Sequence, residues 1–132
     1  MVERTGPIDR AVVCRLLGHR VAFNKRGSND QIFANLMHAA GGEVWGVAYA
    51  RAETALRDLD RSEGGYRRQR VIVSPVGDAS FEAVTYVAKP ESLCDEGRPS
   101  DVYLDKILRG ARSHGLPDTY IKTIETLALR RR

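Results

Sequence analysis

"RPSDVYLDKILRGARSHGLPDTYI", residues 98–121, packs two helix starts and one stop into a single run. Ser100 follows Pro99 and suits an N-cap, because its short side chain can accept from the unpaired amides of a first helical turn. Behind it Tyr103, Leu104, Ile107, Leu108 and Ala111 recur at helical spacing and predict one apolar face. Gly115 ends that helix. Pro117 opens another in its first turn, with Tyr120, Ile121, Ile124 and Leu127 on its inner face.

Upstream the period changes to that of strands. "AVVCRLL" (11–17) and "HRVAFN" (19–24) flank Gly18, and "IFANLMH" (32–38) follows the loop-like "KRGSNDQ" (25–31). "AAGGE" (39–43) reads as a turn. "VWGVAYA" (44–50) is a nearly continuous apolar run of strand length, as expected for a strand covered on both faces. "AETALRDLD" (52–60) returns to strong helix formers. "YRRQRVIVSP" (66–75) and "ASFEAVTYVA" (79–88) then bracket "VGD" as an antiparallel pair, and "KPESLCDEGRP" (89–99) is a long connection. Strands first and two helices last predict an α+β domain.

At 132 residues the chain fits a single domain spanning 1–132. A chain of this size buries roughly two thirds of its unfolded surface, enough for a core without disulfide or metal. Its apolar runs are short and broken by charges, and "MVERTGPIDR" has no signal-peptide core, so a cytoplasmic protein without membrane contact is expected. Cys14 and Cys94 form no CxxC and read as free thiols. His19, His38 and His114 lack metal-ligand spacing, so no metal is expected. The net charge of +4 and pI of 9.3 raise nucleic acid as a partner. The basic residues are concentrated in "YRRQR" (66–70) and the terminal "RRR", without interleaved aromatics or a recognition helix, which argues against it.

Four segments share an order with a known family. They are Glu43 to Val47 (E-V-W-G-V), Leu59 to Gly64 (L-D-x-x-E-G), Pro99 to Tyr103 (P-S-x-x-Y) and Gly110 to Tyr120 (G-A-x-x-x-G-L-P-x-x-Y). Together they resemble the γ-glutamylcyclotransferase family, including its AIG2-like members, from about Leu17 onward. The resemblance implies a small mixed β-barrel with flanking helices. It implies intramolecular acyl transfer without a cofactor, in which the α-amine of a small γ-glutamyl amide attacks its own γ-carbonyl and releases 5-oxoproline. Glu63 matches the family acid/base, with Gly64 and Gly65 behind it to turn the backbone. Tyr120 matches the tyrosine near the substrate, although Ile124 four residues on would also make it a core aromatic. Asp60 is a rival carboxylate at a helix end. Tyr66 and Tyr103 are weaker candidates that read as packing residues, and Trp45 reads as core.

The resemblance also implies an N-terminal strand ending in a Y-G-S-N-L loop, which holds the γ-glutamyl group and the oxyanion. No such segment occurs in these 132 residues, so the domain is expected to be N-terminally short; "MVERTGPIDR" resembles the stretch just after that loop. "RGSND" (26–30) follows a strand and aligns with a variable loop, so that role is not transferred to it. Three alternatives stand: a start placed too far downstream, a partner chain covering the gap, or a non-catalytic AIG2-like domain that binds a small molecule or a protein. An unpaired strand edge would also permit a homodimer.

Overall fold

The computed structural model describes residues 2–4, 11–50, 57 and 64–129. Its strands are β1 (Val2–Arg4), β2 (Ala11–Arg26), β3 (Ile32–Ala50), β4 (Tyr66–Pro75) and β5 (Phe81–Ala88). Two helices follow, α1 (Asp101–Ser113) and α2 (Asp118–Leu129). The four long strands run antiparallel in the order β3-β2-β4-β5. The short β1 joins the two ends, parallel to β3 and antiparallel to β5, which gives a mixed barrel. The α+β class expected from the sequence is the class observed. The helix expected over 52–60 lies outside the described residues, apart from Arg57.

Where four short strands were expected between residues 11 and 50, there are two long ones. β2 runs 16 residues through Gly18, and β3 runs 19 residues through the stretch expected to turn. Pairing passes from Leu17 opposite Glu43 to His19 opposite His38, so residues 39–42 stand against Gly18 alone. Gly18 and Gly41 both have φ of 75°, a left-handed conformation that glycine adopts without steric cost. The hairpin therefore bends through a bulge instead of ending there. The loop expected over 25–31 is also shorter, because Lys25 and Arg26 still pair with Phe33 and Ile32.

A second irregularity falls between Ala22 and Lys25. Backbone groups released there do not stay unpaired. Cys94 N–H donates to the Asn24 carbonyl at 2.8 Å, and Gly97 N–H donates to the Phe23 carbonyl at 2.9 Å. The connection after β5 is thus laid along β2 and bonds both of these carbonyls.

Two apolar clusters result. One contains Cys14, Leu16, Ala48, Val71, Val73 and Ala83. The other packs Phe23 of β2 against Leu104, Leu108, Ile121, Ile124 and Ala128 of the helices. Alternation along β3 serves both, since Val44 joins the first and Trp45 the second. The 44–50 run therefore uses both of its faces, although among its described side chains only Ala48, 1% exposed, is fully buried. Helix α1 starts as the sequence requires, with Ser100 Oγ accepting from the Tyr103 amide at 3.2 Å. Both cysteines are free, Cys14 in the core and Cys94 half-buried. Burial pushes the Cys14 thiol up, against a smaller opposing effect from the Ala48 backbone.

Candidate active site

Glu63, the expected acid/base, and Asp60, its rival, lie outside the described residues. The two glycines after Glu63 are described, and they differ. Gly65 has φ of 83°, whereas Gly64 is not among the positive-φ residues. A Cβ on Gly65 would come within 2.7 Å of Ser92 Oγ and 2.8 Å of Lys25 Cε, while one on Gly64 would meet nothing within 4 Å. Only Gly65 is required as glycine. Gly65→Ala combines left-handed strain of about 1–2 kcal/mol with that crowding. Its melting temperature is expected to fall by several degrees, while Gly64→Ala stays within about 1 kcal/mol of the parent. Parallel thermal melts of the two variants check this.

Three bonds hold the turn and the residue that leaves it. Lys25 Nζ donates to the Gly64 carbonyl at 2.9 Å, and the Lys89 amide donates to the Gly65 carbonyl at 2.8 Å. Tyr66, which opens β4, donates its hydroxyl to the Ala34 carbonyl at 2.8 Å. Tyr103 of α1 accepts from the Ala34 amide at 3.1 Å. Ala34 stands opposite the second irregularity of β2, so the two tyrosines supply bonds at a break in the ladder. Next to it, Asn35 Oδ1 accepts from the Ala88 amide at 2.8 Å. Tyr66 and Tyr103 therefore do more than fill space. Their pairing to one residue was not visible in the sequence, because it depends on where a strand pair loses register.

A cavity of about 520 Å³ adjoins this corner, with Ala34, Asn35, Tyr66, Tyr103 and Tyr120 on its wall. That is within the range of small-molecule sites. Tyr120 also borders a second cavity of about 470 Å³, together with Arg20, Glu43 and Lys122. Its ring also packs on the helix cluster, so a core position and a cavity wall coincide at this residue. Burial pushes the Tyr120 hydroxyl up to about 12; the Trp45 backbone amide opposes that shift and the nearby Glu43 carboxylate adds to it. At neutral pH the group is a protonated donor and cannot serve as the base.

That shift has a sign that can be tested. An ordinary tyrosine titrates near 10, so the folded chain holds this proton more tightly than the unfolded one. The associated stability is complete below pH 10 and is lost as pH rises through about 12. Tyr120→Phe should flatten that alkaline loss and remove a phenol that titrates at about 12. Denaturation across this pH range and ultraviolet phenolate titration read the two effects.

Trp45, expected as core, is half-buried, and its indole N–H donates to Glu43. Arg15 lies 3.8 Å from the same carboxylate and 5.7 Å from the indole centroid. Both charged side chains are about 40% exposed, so the ion pair itself contributes little. Among the described residues, no group of three or more His, Cys, Asp or Glu side chains is placed to hold a metal ion. No helix among them is long and apolar enough to cross a membrane.

The family model described as "AIG2-like family" matches residues 43–124, more than half of the chain. The chain belongs to the AIG2-like family. It is 26% identical over 121 residues to human γ-glutamylcyclotransferase, covering 87% of this chain and 64% of that relative. The chain thus spans a little under two thirds of the length of the curated relative it matches. Among solved structures, one titled γ-glutamyl cyclotransferase superposes with a TM-score of 0.78 at 24% identity, over 86% of this chain and 71% of the other. An uncharacterized human protein superposes with a TM-score of 0.77 at 25% identity, over 87% and 73%. These likenesses show the fold: an antiparallel sheet of four long strands with two helices.

Proposed function

We propose that this chain is a γ-glutamylcyclotransferase-like enzyme that releases 5-oxoproline from a small γ-glutamyl amide. The observation that carries the reading is the anchored Gly64–Gly65 turn. It follows Glu63 directly and leads into Tyr66 on the wall of a ligand-sized cavity. The family membership and the distant γ-glutamylcyclotransferase relative support the reaction class.

The chemistry assigns two proton transfers to one carboxylate. Glu63 takes a proton from the substrate's α-ammonium, which frees the amine to attack the γ-carbonyl carbon and form a five-membered ring. As the tetrahedral intermediate collapses, the bond to the leaving amine breaks. Glu63 then returns a proton to that nitrogen. General acid–base catalysis of this kind contributes about 10²–10⁴-fold. Tyr120, protonated at neutral pH, would donate a hydrogen bond to the bound substrate. Its ring would form part of the pocket wall.

The test is 5-oxoproline release from a panel of γ-glutamyl amides, including γ-glutamyl amino acids and γ-glutamylamines. Turnover that falls by at least about 10²-fold in Glu63→Gln supports the enzyme. A folded chain that turns over none of the panel would favour a ligand-binding domain of the same fold.

A further inference from the structure

Lys25 is 6% exposed, yet none of the ion pairs among the described residues includes it. Removing an ammonium from water without a counter-charge is costly, and an apolar side chain of similar length would fill the same volume. The surroundings compensate in part. Nζ donates to the Gly64 carbonyl at 2.9 Å and lies 4.8 Å from the Tyr66 ring centroid and 5.6 Å from that of Phe33. Gly65 is packed so closely that a Cβ there would meet Lys25 Nζ at 2.9 Å. Every one of these contacts is made to the turn, to the first residue of β4, or to the β3 residue facing Lys25 across the hairpin.

We propose that Lys25 is a positioning residue for the acid/base: its buried ammonium holds the Gly64–Gly65 turn that directly follows Glu63 in the chain. The inference rests on the catalytic reading of Glu63. Peptide units are planar, so holding the Gly64 and Gly65 carbonyls orients the 64–65 and 65–66 peptide units, the first of which starts at the Cα next after Glu63. Lys25 holds the first carbonyl and the Lys89 amide the second. The Tyr66 face adjoining the ammonium belongs to the ring whose hydroxyl is bonded to Ala34. Charge-assisted bonds are about twice as strong as neutral ones, which suits a single contact that must hold a glycine pair.

The test compares wild type, Lys25→Met, Glu63→Gln and the double variant. Lys25→Met keeps the length of the stem and removes the ammonium. Its kcat for 5-oxoproline release is expected to fall about 10- to 100-fold, the scale of a misplaced catalytic group. KM should stay within about threefold. In the Glu63→Gln background the same substitution should cost no further activity, because residues acting as one unit are non-additive. Equal losses in both backgrounds, or a change in KM alone, would overturn the proposal.

Hydrogen exchange supplies an arm independent of turnover. Lys25→Met should lower protection of the Lys89 amide at least tenfold while Val71 and Ala83, paired across β4 and β5, keep theirs. Unchanged protection at Lys89 overturns the proposal whatever the activity. If Lys25→Met does not fold, the wild-type Nζ ¹⁵N resonance decides. A slowly exchanging ammonium signal supports the bond, and solvent-averaged behaviour refutes it. Absence of turnover in the wild-type panel would sink the enzymatic reading alone, and the exchange arm would still settle whether Lys25 holds the turn.

Discussion

Glu63→Gln is expected to reduce 5-oxoproline release by about 10²–10⁴-fold, the contribution of a positioned general acid/base. Glutamine retains the size of the side chain and loses the ability to accept a proton from the α-ammonium. The effect should therefore fall on kcat, with KM changed by no more than a few-fold. The melting temperature should move by no more than a degree or two. The carboxylate has a second task in the collapse step, so a more activated leaving amine should recover part of the loss. A panel graded by leaving-amine basicity, assayed alongside thermal melts, reads all three expectations. Retained turnover in Glu63→Gln would assign the proton transfers to another group.

The second large effect concerns stability. Phe23 is 1% exposed and sits where β2 meets both helices. Phe23→Ala removes most of a ring from a packed site and leaves a cavity, a change that costs about 3–5 kcal/mol. With an unfolding entropy of about 2.1 cal/mol/K per residue, this corresponds to a fall of roughly 11–18 °C in melting temperature for a chain of 132 residues. The loss should be greatest at the helix contact. Exchange protection in α1 and α2 should fall more than in the β4–β5 pairing. A shift below about 1 kcal/mol in the denaturation midpoint would mean that Phe23 does not hold the helices to the barrel.

The ends of the chain differ in how far their structure can be read from residues alone. Helices α1 and α2 are specified locally, by a serine cap, a glycine stop, a proline start and apolar side chains at helical spacing. The structure keeps the cap, the stop and the spacing, whereas Pro117 lies just before α2, its carbonyl accepting from the Ile121 amide. The long hairpin reads as four short strands because Gly18 and the Gly41–Gly42 pair signal interruption in a one-dimensional pattern. Whether such glycines end a strand or bulge it depends on the partner strand, and no local window contains that partner.

The candidate site was legible in unequal parts. Tyr120 could be named both as a packing residue and as a pocket residue from its helical face and its family motif. Glu63 has no local pattern that separates it from a solvated loop charge, so only the family motif singles it out. Lys25 left no signal. It belongs to a run of charged and polar residues that reads as loop, and its burial comes from the opposing strand and from a turn 39 positions away.

The bonds around Ala34 and Asn35 also bear on how the protein reaches its native state. Tyr66, Ala88 and Tyr103 contact these neighbours across sequence separations of 32, 53 and 69 residues. Each contact closes a long loop, and the entropy of closure must be met before the bond contributes anything. The hairpin can zip from its own turn, and so can the β4–β5 pair. The corner that joins them to α1 has no local nucleus and depends on parts that are already formed. Chain assembly and site assembly therefore converge on one late event, so a nascent chain carries no finished pocket until Tyr103 has been made.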